Sequence, residues 1–284
     1  MKIAVIGGNG FIGKEFVGYA AENGHTTAVI GSDCDVFSKE GEKKAAKVLE
    51  NCDAMVFLAA RRINKDFSFR DYAYNVELFD RYIEIARNYS VANIVTASSI
   101  SVYSSDSIPW KENESDIPLS LYGASKSAID SLALLYSRQY GLKIKSLRLA
   151  QVIGMAERKG YLLNTLIDNA IAGKEQTIFG RGIGRRQYIY VKDVCDAILH
   201  CLVNKINSDG IFNIGMDHSI SITDLAGIIN DVFENTAGIR MLEDKPEDTK
   251  EYLMDVTKAK TVLEWTPGYG IREALEDIKD TVRV

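Results

Sequence analysis

Tyr122 and Lys126 stand four residues apart in Tyr-Gly-Ala-Ser-Lys, the separation that places two side chains on one face of a helix. A free tyrosine ionises near pH 10. Bringing it into use as an acid or base near neutrality costs about 4 kcal/mol, which a lysine ammonium on the same face can offset. Tyr-x-x-x-Lys also arises by chance, as a tyrosine packed beside a solvated lysine. Ser98-Ser99, upstream at the end of an apolar run, strengthens the chemical reading. Ligand sites in open parallel sheets gather at the carboxyl ends of the strands, where a serine hydroxyl and a phenol can converge.

A second constellation, Gly7-Gly8-Asn9-Gly10-Phe11-Ile12-Gly13, follows the first apolar run directly and opens a helical period. Gly7, Gly10 and Gly13 suit a tight turn and then the close approach of a pyrophosphate to a helix N-terminus, so dinucleotide binding is expected. The choice of dinucleotide stays open. The second run ends Ile30-Gly31-Ser32-Asp33, with glycine where an acid would hold the adenosine ribose and Asp33 two residues late. No cation for a 2′-phosphate is adjacent, and Arg61 and Arg62 follow only the next run. NAD and NADP are both compatible with this pattern.

The elements that must position these groups alternate regularly. Apolar runs at 2–6, 26–30, 54–60, 93–97 and 143–149 read as strands, separated by helical periods at 13–23 (closed by Gly24), 40–51, 72–89 and 122–140. That rhythm predicts an α/β fold, a Rossmann-type doubly wound parallel sheet covered on both faces. Beyond 154 it loosens: helix 162–172, loop 180–186, strand 188–191, helix 194–203, strand 211–214, then helices 222–234 and 271–282 around a polar segment at 243–250. We expect an NAD(P)-binding domain at 1–153, with 188–215 returning to the sheet. Segments 154–187 and 216–284 would form a smaller C-terminal substrate-binding domain.

Composition narrows the classes. The chain has 284 residues and a formal charge of −5, which disfavours nucleic acid and anionic membranes as partners. No apolar run approaches the ~20 residues of a membrane helix, and the glycines at 7 and 8 interrupt any signal-peptide core. A cytoplasmic protein is expected. Cys34, Cys52, Cys195 and Cys201 form no C-x-x-C pair, and His25, His200 and His218 lie far apart, so no metal site is expected.

Gly7-x-x-Gly10-x-x-Gly13, Ala59-Ala60, Ser99 in Ser-Ser-Ile-Ser-Val-Tyr and Tyr122-x-x-x-Lys126 together resemble the extended short-chain dehydrogenase/reductase family, within it the nucleotide-sugar epimerase/dehydratase group. The resemblance runs nearly end to end, through Arg148-Leu-Ala-Gln151-Val-Ile-Gly154, Arg186-Gln-Tyr-Ile-Tyr-Val-Lys-Asp193, Phe212-Asn-Ile-Gly215 and Asp255-Val-Thr-Lys-Ala-Lys260. It implies that Tyr122 exchanges the proton of a sugar hydroxyl, that Lys126 lowers its pKa and holds the nicotinamide ribose, and that Ser99 binds the same oxygen. It also implies cofactor contacts from Phe11, Ile12, Leu58, Ala59, Ala60, Arg62 and Asn75, with Asp35-Val36 near the adenine. Arg186 matches the arginine that grips a nucleotide-sugar diphosphate. Gln151, Asn164, Thr177 and Phe179 complete the implied substrate set.

Departures from the family pattern sharpen the reading. Ile6 replaces a threonine and Ser104 a glycine, and Asn164 comes two residues later than the usual phosphate-binding asparagine. Ile100 and Ser101 stand where 4,6-dehydratases carry an Asp-Glu pair, so dehydration, which needs an acid and a base at C5 and C6, is not expected. The leading expectation is a nucleoside-diphosphate-sugar 4-epimerase. The close alternative is an NAD(P)H-dependent 4-keto-sugar-nucleotide reductase, suggested by the short segment after the second strand. More remote are a non-catalytic dinucleotide-binding protein and a lipid or flavonoid ketoreductase, in which Arg186 has no role. The resemblance also implies a homodimer through helices 72–89 and 122–140, where Phe79, Leu132 and Leu135 exceed the needs of one core contact.

Overall fold

The computed structural model describes residues 1–61, 66–114, 117–155, 161–204 and 209–282. The first half runs β1 (Lys2–Ile6), α1 (Phe11–Glu22), β2 (Thr26–Ile30), α2 (Lys39–Leu49), β3 (Ala54–Phe57), α3 (Phe69–Asn88) and β4 (Asn93–Ser99). A 3-10 turn (Ile100–Val102), α4 (Leu121–Tyr140) and β5 (Lys143–Leu149) follow. With β9 (below), the strands form a six-stranded sheet in the order β2-β1-β3-β4-β5-β9, every pairing parallel. The order reverses direction between β1 and β3. The carboxyl ends of those two strands therefore flank a crevice, the switch point at which such sheets bind ligands.

Strand alternation divides the core into two layers. Ile3 and Val5 face Phe16 and Ala20 of α1, while Ala4 and Ile6 face Leu49 of α2 and Phe79, Tyr82 and Ile83 of α3. Burial on both faces explains why these strands read as unbroken apolar runs in the sequence. Local chemistry sets the helix ends. α3 starts at Phe69, three residues before the apolar period suggests, because Ser68 and Asp71 form a capping box. Ser120 caps α4 by accepting from the Gly123 N–H, and Gly141 closes that helix in the left-handed conformation, with φ of 68°.

The second half runs β6 (Gln151–Ile153), α5 (Leu162–Ile171), β7 (Gln176–Phe179), β8 (Arg185–Tyr190), α6 (Val191–Val203), β9 (Gly210–Ile214), β10 (Ser219–Ser221) and α7 (Ile222–Phe233). It ends with β11 (Ile239–Leu242), β12 (Glu251–Tyr252), α8 (Thr257–Val262) and α9 (Ile271–Val282). The segment expected to return to the large sheet from 188 onward does so only through α6 and β9. Its first strand, β8, is the spine of a smaller sheet with β6, β10 and β12. Helices α5, α7 and α9 enclose a third apolar cluster around Leu166, Leu225, Ile229 and Leu275.

A buried ion pair ties α4 to the sheet. Arg148 Nε of β5 donates to Asp130 Oδ2 at 2.8 Å, Ser146 Oγ donates to Asp130 Oδ1 at 2.6 Å, and Arg148 also reaches the Tyr103 hydroxyl at 2.7 Å. Asp130 lies one helical turn beyond Lys126, so the pair fixes the face of α4 that carries Tyr122 and Lys126. No helix among the described residues is long and apolar enough to cross a membrane.

Candidate active site

The glycine turn between β1 and α1 needs its glycines. Gly7 has φ of +85°, and a Cβ there would lie 2.8 Å from the Ala59 nitrogen; at Gly13 it would lie 2.4 Å from the Gly7 carbonyl oxygen. The backbone of the turn is thereby drawn onto the ends of β1 and β3, and α1 opens at Phe11 facing the crevice. A cavity of about 970 Å³ fills this crevice. It is lined by Gly7, Gly10, Phe11, Ile12 and Gly13 of the turn, Ser32 and Asp35 after β2, and Leu58, Ala59 and Ala60 after β3. A tight turn in which a Cβ at Gly7 or Gly13 would strike backbone, at a helix N-terminus, fits a dinucleotide pyrophosphate.

Other expected cofactor residues lie elsewhere. Val36 is 1% exposed, packs in the layer under α2 and α3, and does not line the cavity. Asn75 is buried and acts through the backbone: its Oδ1 accepts from the Arg61 N–H at 2.7 Å and its Nδ2 donates to the Arg61 carbonyl at 3.0 Å. Asp33 is exposed and pairs with Lys44 at 2.9 Å. Arg62 lies outside the described residues. Arg61 lines the cavity, paired with Asp71 at 3.0 Å and stacked 3.9 Å from the Tyr74 ring centroid. Asn9 of the glycine turn also lines it, as do Phe37 and Tyr74, which no motif marked in the sequence.

A second cavity of about 380 Å³ shares Phe11, Ile12, Leu58, Ala60 and Ala97 with the first, so the two adjoin. Ser99, Tyr122 and Lys126 all line it. Their convergence has a local cause at Gly123, where a Cβ would lie 2.1 Å from the Ser101 carbonyl oxygen. Only glycine lets the first turn of α4 close onto the 3-10 turn that follows Ser99. Lys126 is 4% exposed; its Nζ donates to the Ala97 carbonyl at 2.8 Å and sits 5.8 Å from the Tyr122 ring centroid. Ser99 Oγ accepts from the Ser101 N–H and donates to the Ser101 hydroxyl, each at 3.1 Å. Phe67 presses edge-on against the Tyr122 ring, centroids 5.9 Å apart.

Gln151 and Arg186 face the same cavity. Arg186 donates to Asp248 Oδ2 and to the Lys250 carbonyl, each at 2.8 Å, and lies 4.3 Å over the ring of Tyr252, a cavity residue the sequence did not mark. Burial and the Asp248 hydrogen bond push the Tyr252 hydroxyl above its ordinary pKa. Tyr161, the residue before α5, lines the cavity, whereas Asn164, Thr177 and Phe179 line neither cavity, and Phe179 is 55% exposed. Ile100 and Ser101 line it too, and no carboxylate does among the described residues. The described residues hold no cluster that could bind a metal ion.

Comparison with known proteins matches this architecture. The family model "NAD dependent epimerase/dehydratase family" matches residues 3–215. The uncharacterized UDP-glucose epimerase YtcB of Bacillus subtilis is 27% identical over 97% of this chain and 96% of its own. UDP-glucuronic acid decarboxylase 3 of Arabidopsis thaliana is 26% identical over 100% of this chain and 90% of its own. The crystal structure of UDP-N-acetylglucosamine 4-epimerase from Bacillus cereus superposes with a TM-score of 0.88 at 30% identity, covering all of both chains.

Proposed function

We propose that this chain, which belongs to the NAD dependent epimerase/dehydratase family, inverts the configuration at C4 of a nucleoside-diphosphate sugar, with a uridine diphosphate sugar as substrate. The protein is an enzyme and its cofactor is NAD, the dinucleotide of its family, which closes the choice between NAD and NADP left open by the sequence. One observation carries the proposal. The cavity of the glycine turn adjoins a cavity that Ser99, Tyr122, Lys126 and Arg186 all line.

Bound in the glycine turn, NAD supplies reversible hydride acceptance at its nicotinamide. Tyr122, as phenolate, takes the proton of the sugar O4-hydroxyl, and the Lys126 ammonium on the same helical face offsets the cost of that charge. Ser99 donates a hydrogen bond to the same oxygen. Arg186 grips the diphosphate with its guanidinium fork, so the nucleotide stays fixed while the sugar turns about its link to the phosphate. Tyr122 then returns the proton to O4 once the ring presents its other face. Besides Lys126 and Arg186, the cavity walls offer this rotation serine hydroxyls, Gln151 and Tyr252 rather than carboxylates among the described residues. With no carboxylate among its described lining residues, the cavity has no acid-base pair for elimination across C5 and C6.

A 4-keto-sugar reductase is the second reading, favoured by the short connection between β2 and α2, residues 31–38, which leaves β2 as the edge of the sheet. The experiment that separates the two is mass spectrometry of the dinucleotide released when freshly purified protein is denatured. Near-stoichiometric NAD is the expected result, because an epimerase recycles its cofactor. An empty site that takes up reduced dinucleotide only on addition would reject the epimerase in favour of the reductase. The proposal includes a cytoplasmic homodimer through α3 and α4. Of the three residues expected to serve that contact, Phe79 is buried in the core, Leu132 packs partly against it, and Leu135 is 44% exposed.

A further inference from the structure

The loop between β7 and β8, residues 180–184, is shaped to hold an anion, and it holds one of the chain's own. Gly180 and Gly182 both take φ of 65°, alternating with Arg181 and Ile183, and a backbone of this kind turns successive N–H groups toward one point. The Glu247 carboxylate occupies that point. Its Oε2 accepts from the Arg181 N–H at 2.8 Å and its Oε1 from the Gly184 N–H at 3.0 Å. These backbone donors, the Gly184 N–H foremost, hold the Glu247 carboxyl below the ordinary carboxylate range. The fit is close. A Cβ at Gly180 would lie 2.4 Å from Glu247 Oε2, and one at Gly184 would lie 2.1 Å from the Asp248 carbonyl oxygen.

The residues just beyond Glu247 orient Arg186. Its Nη2 donates to Asp248 Oδ2 and its Nη1 to the Lys250 carbonyl, each at 2.8 Å. Between β11 and β12, residues 243–250 form no helix or strand that would hold those acceptors in place. Side-chain anchors must do so. Lys250 Nζ meets Asp106 at 3.0 Å, but both side chains of that pair are exposed, and such pairs hold weakly. Glu247, with both carboxylate oxygens engaged by backbone, is the firmer anchor. It lines neither cavity, and no motif marked it in the sequence. We propose that Glu247 is a positioning residue for the diphosphate grip: docked in the 180–184 loop, it holds Asp248 and the Lys250 carbonyl where they aim the Arg186 fork. The inference rests on Arg186 binding the diphosphate, and not on which reaction the sugar undergoes.

Calorimetric titration of NAD-saturated protein with uridine diphosphate tests this directly. Losing one charge-assisted hydrogen bond weakens binding about tenfold. Glu247→Ala should show a loss of that size. So should Gly180→Ala, whose Cβ evicts the carboxylate while Glu247 itself stays in the chain. Both variants should keep the wild-type affinity for NAD. In an Arg186→Leu background no fork remains to be aimed, so adding Glu247→Ala should cost less than about twofold. The proposal is overturned if either single variant binds uridine diphosphate within about twofold of wild type. It is also overturned if Glu247→Ala costs as much without Arg186 as with it, as a general disturbance of the fold would. An Arg186→Leu variant that binds uridine diphosphate as wild type does would instead overturn the diphosphate assignment, and this proposal with it. An epimerase and a reductase both hold a nucleoside diphosphate, so the choice between them leaves each outcome unchanged.

Discussion

Replacing Arg148 with methionine removes the cation from the buried pair that fixes α4 to β5. The two side chains are 7% and 2% exposed, so neither charge has water to fall back on. In Arg148→Met, Asp130 keeps only the Ser146 hydroxyl, and its second oxygen is left without its donor. The Tyr103 hydroxyl keeps Asn213 but loses the guanidinium. Removing one partner of a buried pair costs about 3–5 kcal/mol, because the remaining charge stays desolvated. Against a total stability of about 5–15 kcal/mol, that is a fifth or more of what holds the fold together. Urea unfolding followed by circular dichroism should show the loss as a lower midpoint. The double variant Arg148→Met/Asp130→Leu should recover at least half of it, since apolar groups of similar volume often replace such pairs at little cost. A single variant within about 1 kcal/mol of wild type would refute the argument that this pair anchors the catalytic helix.

Three further outcomes are expected. Tyr122→Phe should bind NAD and sugar nucleotide as wild type does while kcat falls by about 10²- to 10⁴-fold, as removal of a general acid-base does; a fully active variant contradicts the proton assignment. Arg186→Leu should weaken binding of a uridine diphosphate sugar by about 1.5–3 kcal/mol, the range for a hydrogen bond to a charged group, and leave NAD affinity unchanged; equal effects on both ligands would remove Arg186 from the diphosphate. Gly13→Ala, whose Cβ would lie 2.4 Å from the Gly7 oxygen and 2.6 Å from the Gly8 Cα, should abolish retention of NAD through purification. Retention at the wild-type level would show that the turn tolerates displacement from the pyrophosphate.

The large sheet was legible because strands buried on both faces must be apolar throughout, and those runs alternate with helical periods long enough to count. β6, β10 and β12 have two or three residues each, too few for any period, so the smaller sheet was invisible and β8 was assigned to the wrong one. The convergence of the proposed catalytic residues was legible for a related reason. Ser99, Tyr122 and Lys126 sit on the end of one strand and the start of one helix, where spacing translates directly into geometry. Tyr252 reaches the site through pairing, β12 lying parallel to β8 with Tyr252 opposite Arg186, and nothing local in the sequence announces that register. Phe67 reaches Tyr122 from the loop before α3 by the same kind of distant contact. Val36, an aliphatic residue beside an acid that matched a ligand-contact pattern, packs in the core between cavity-lining neighbours.

The most direct test of 4-epimerisation is proton NMR of a uridine diphosphate sugar incubated with the purified enzyme in deuterium oxide, with no dinucleotide added. The account predicts that the C4 epimer accumulates to many times the enzyme concentration and that hydrogen, not deuterium, remains at C4, because the hydride never leaves the site. An unchanged sugar, together with stoichiometric oxidation of a reduced dinucleotide when a 4-keto-sugar nucleotide is supplied, would contradict it.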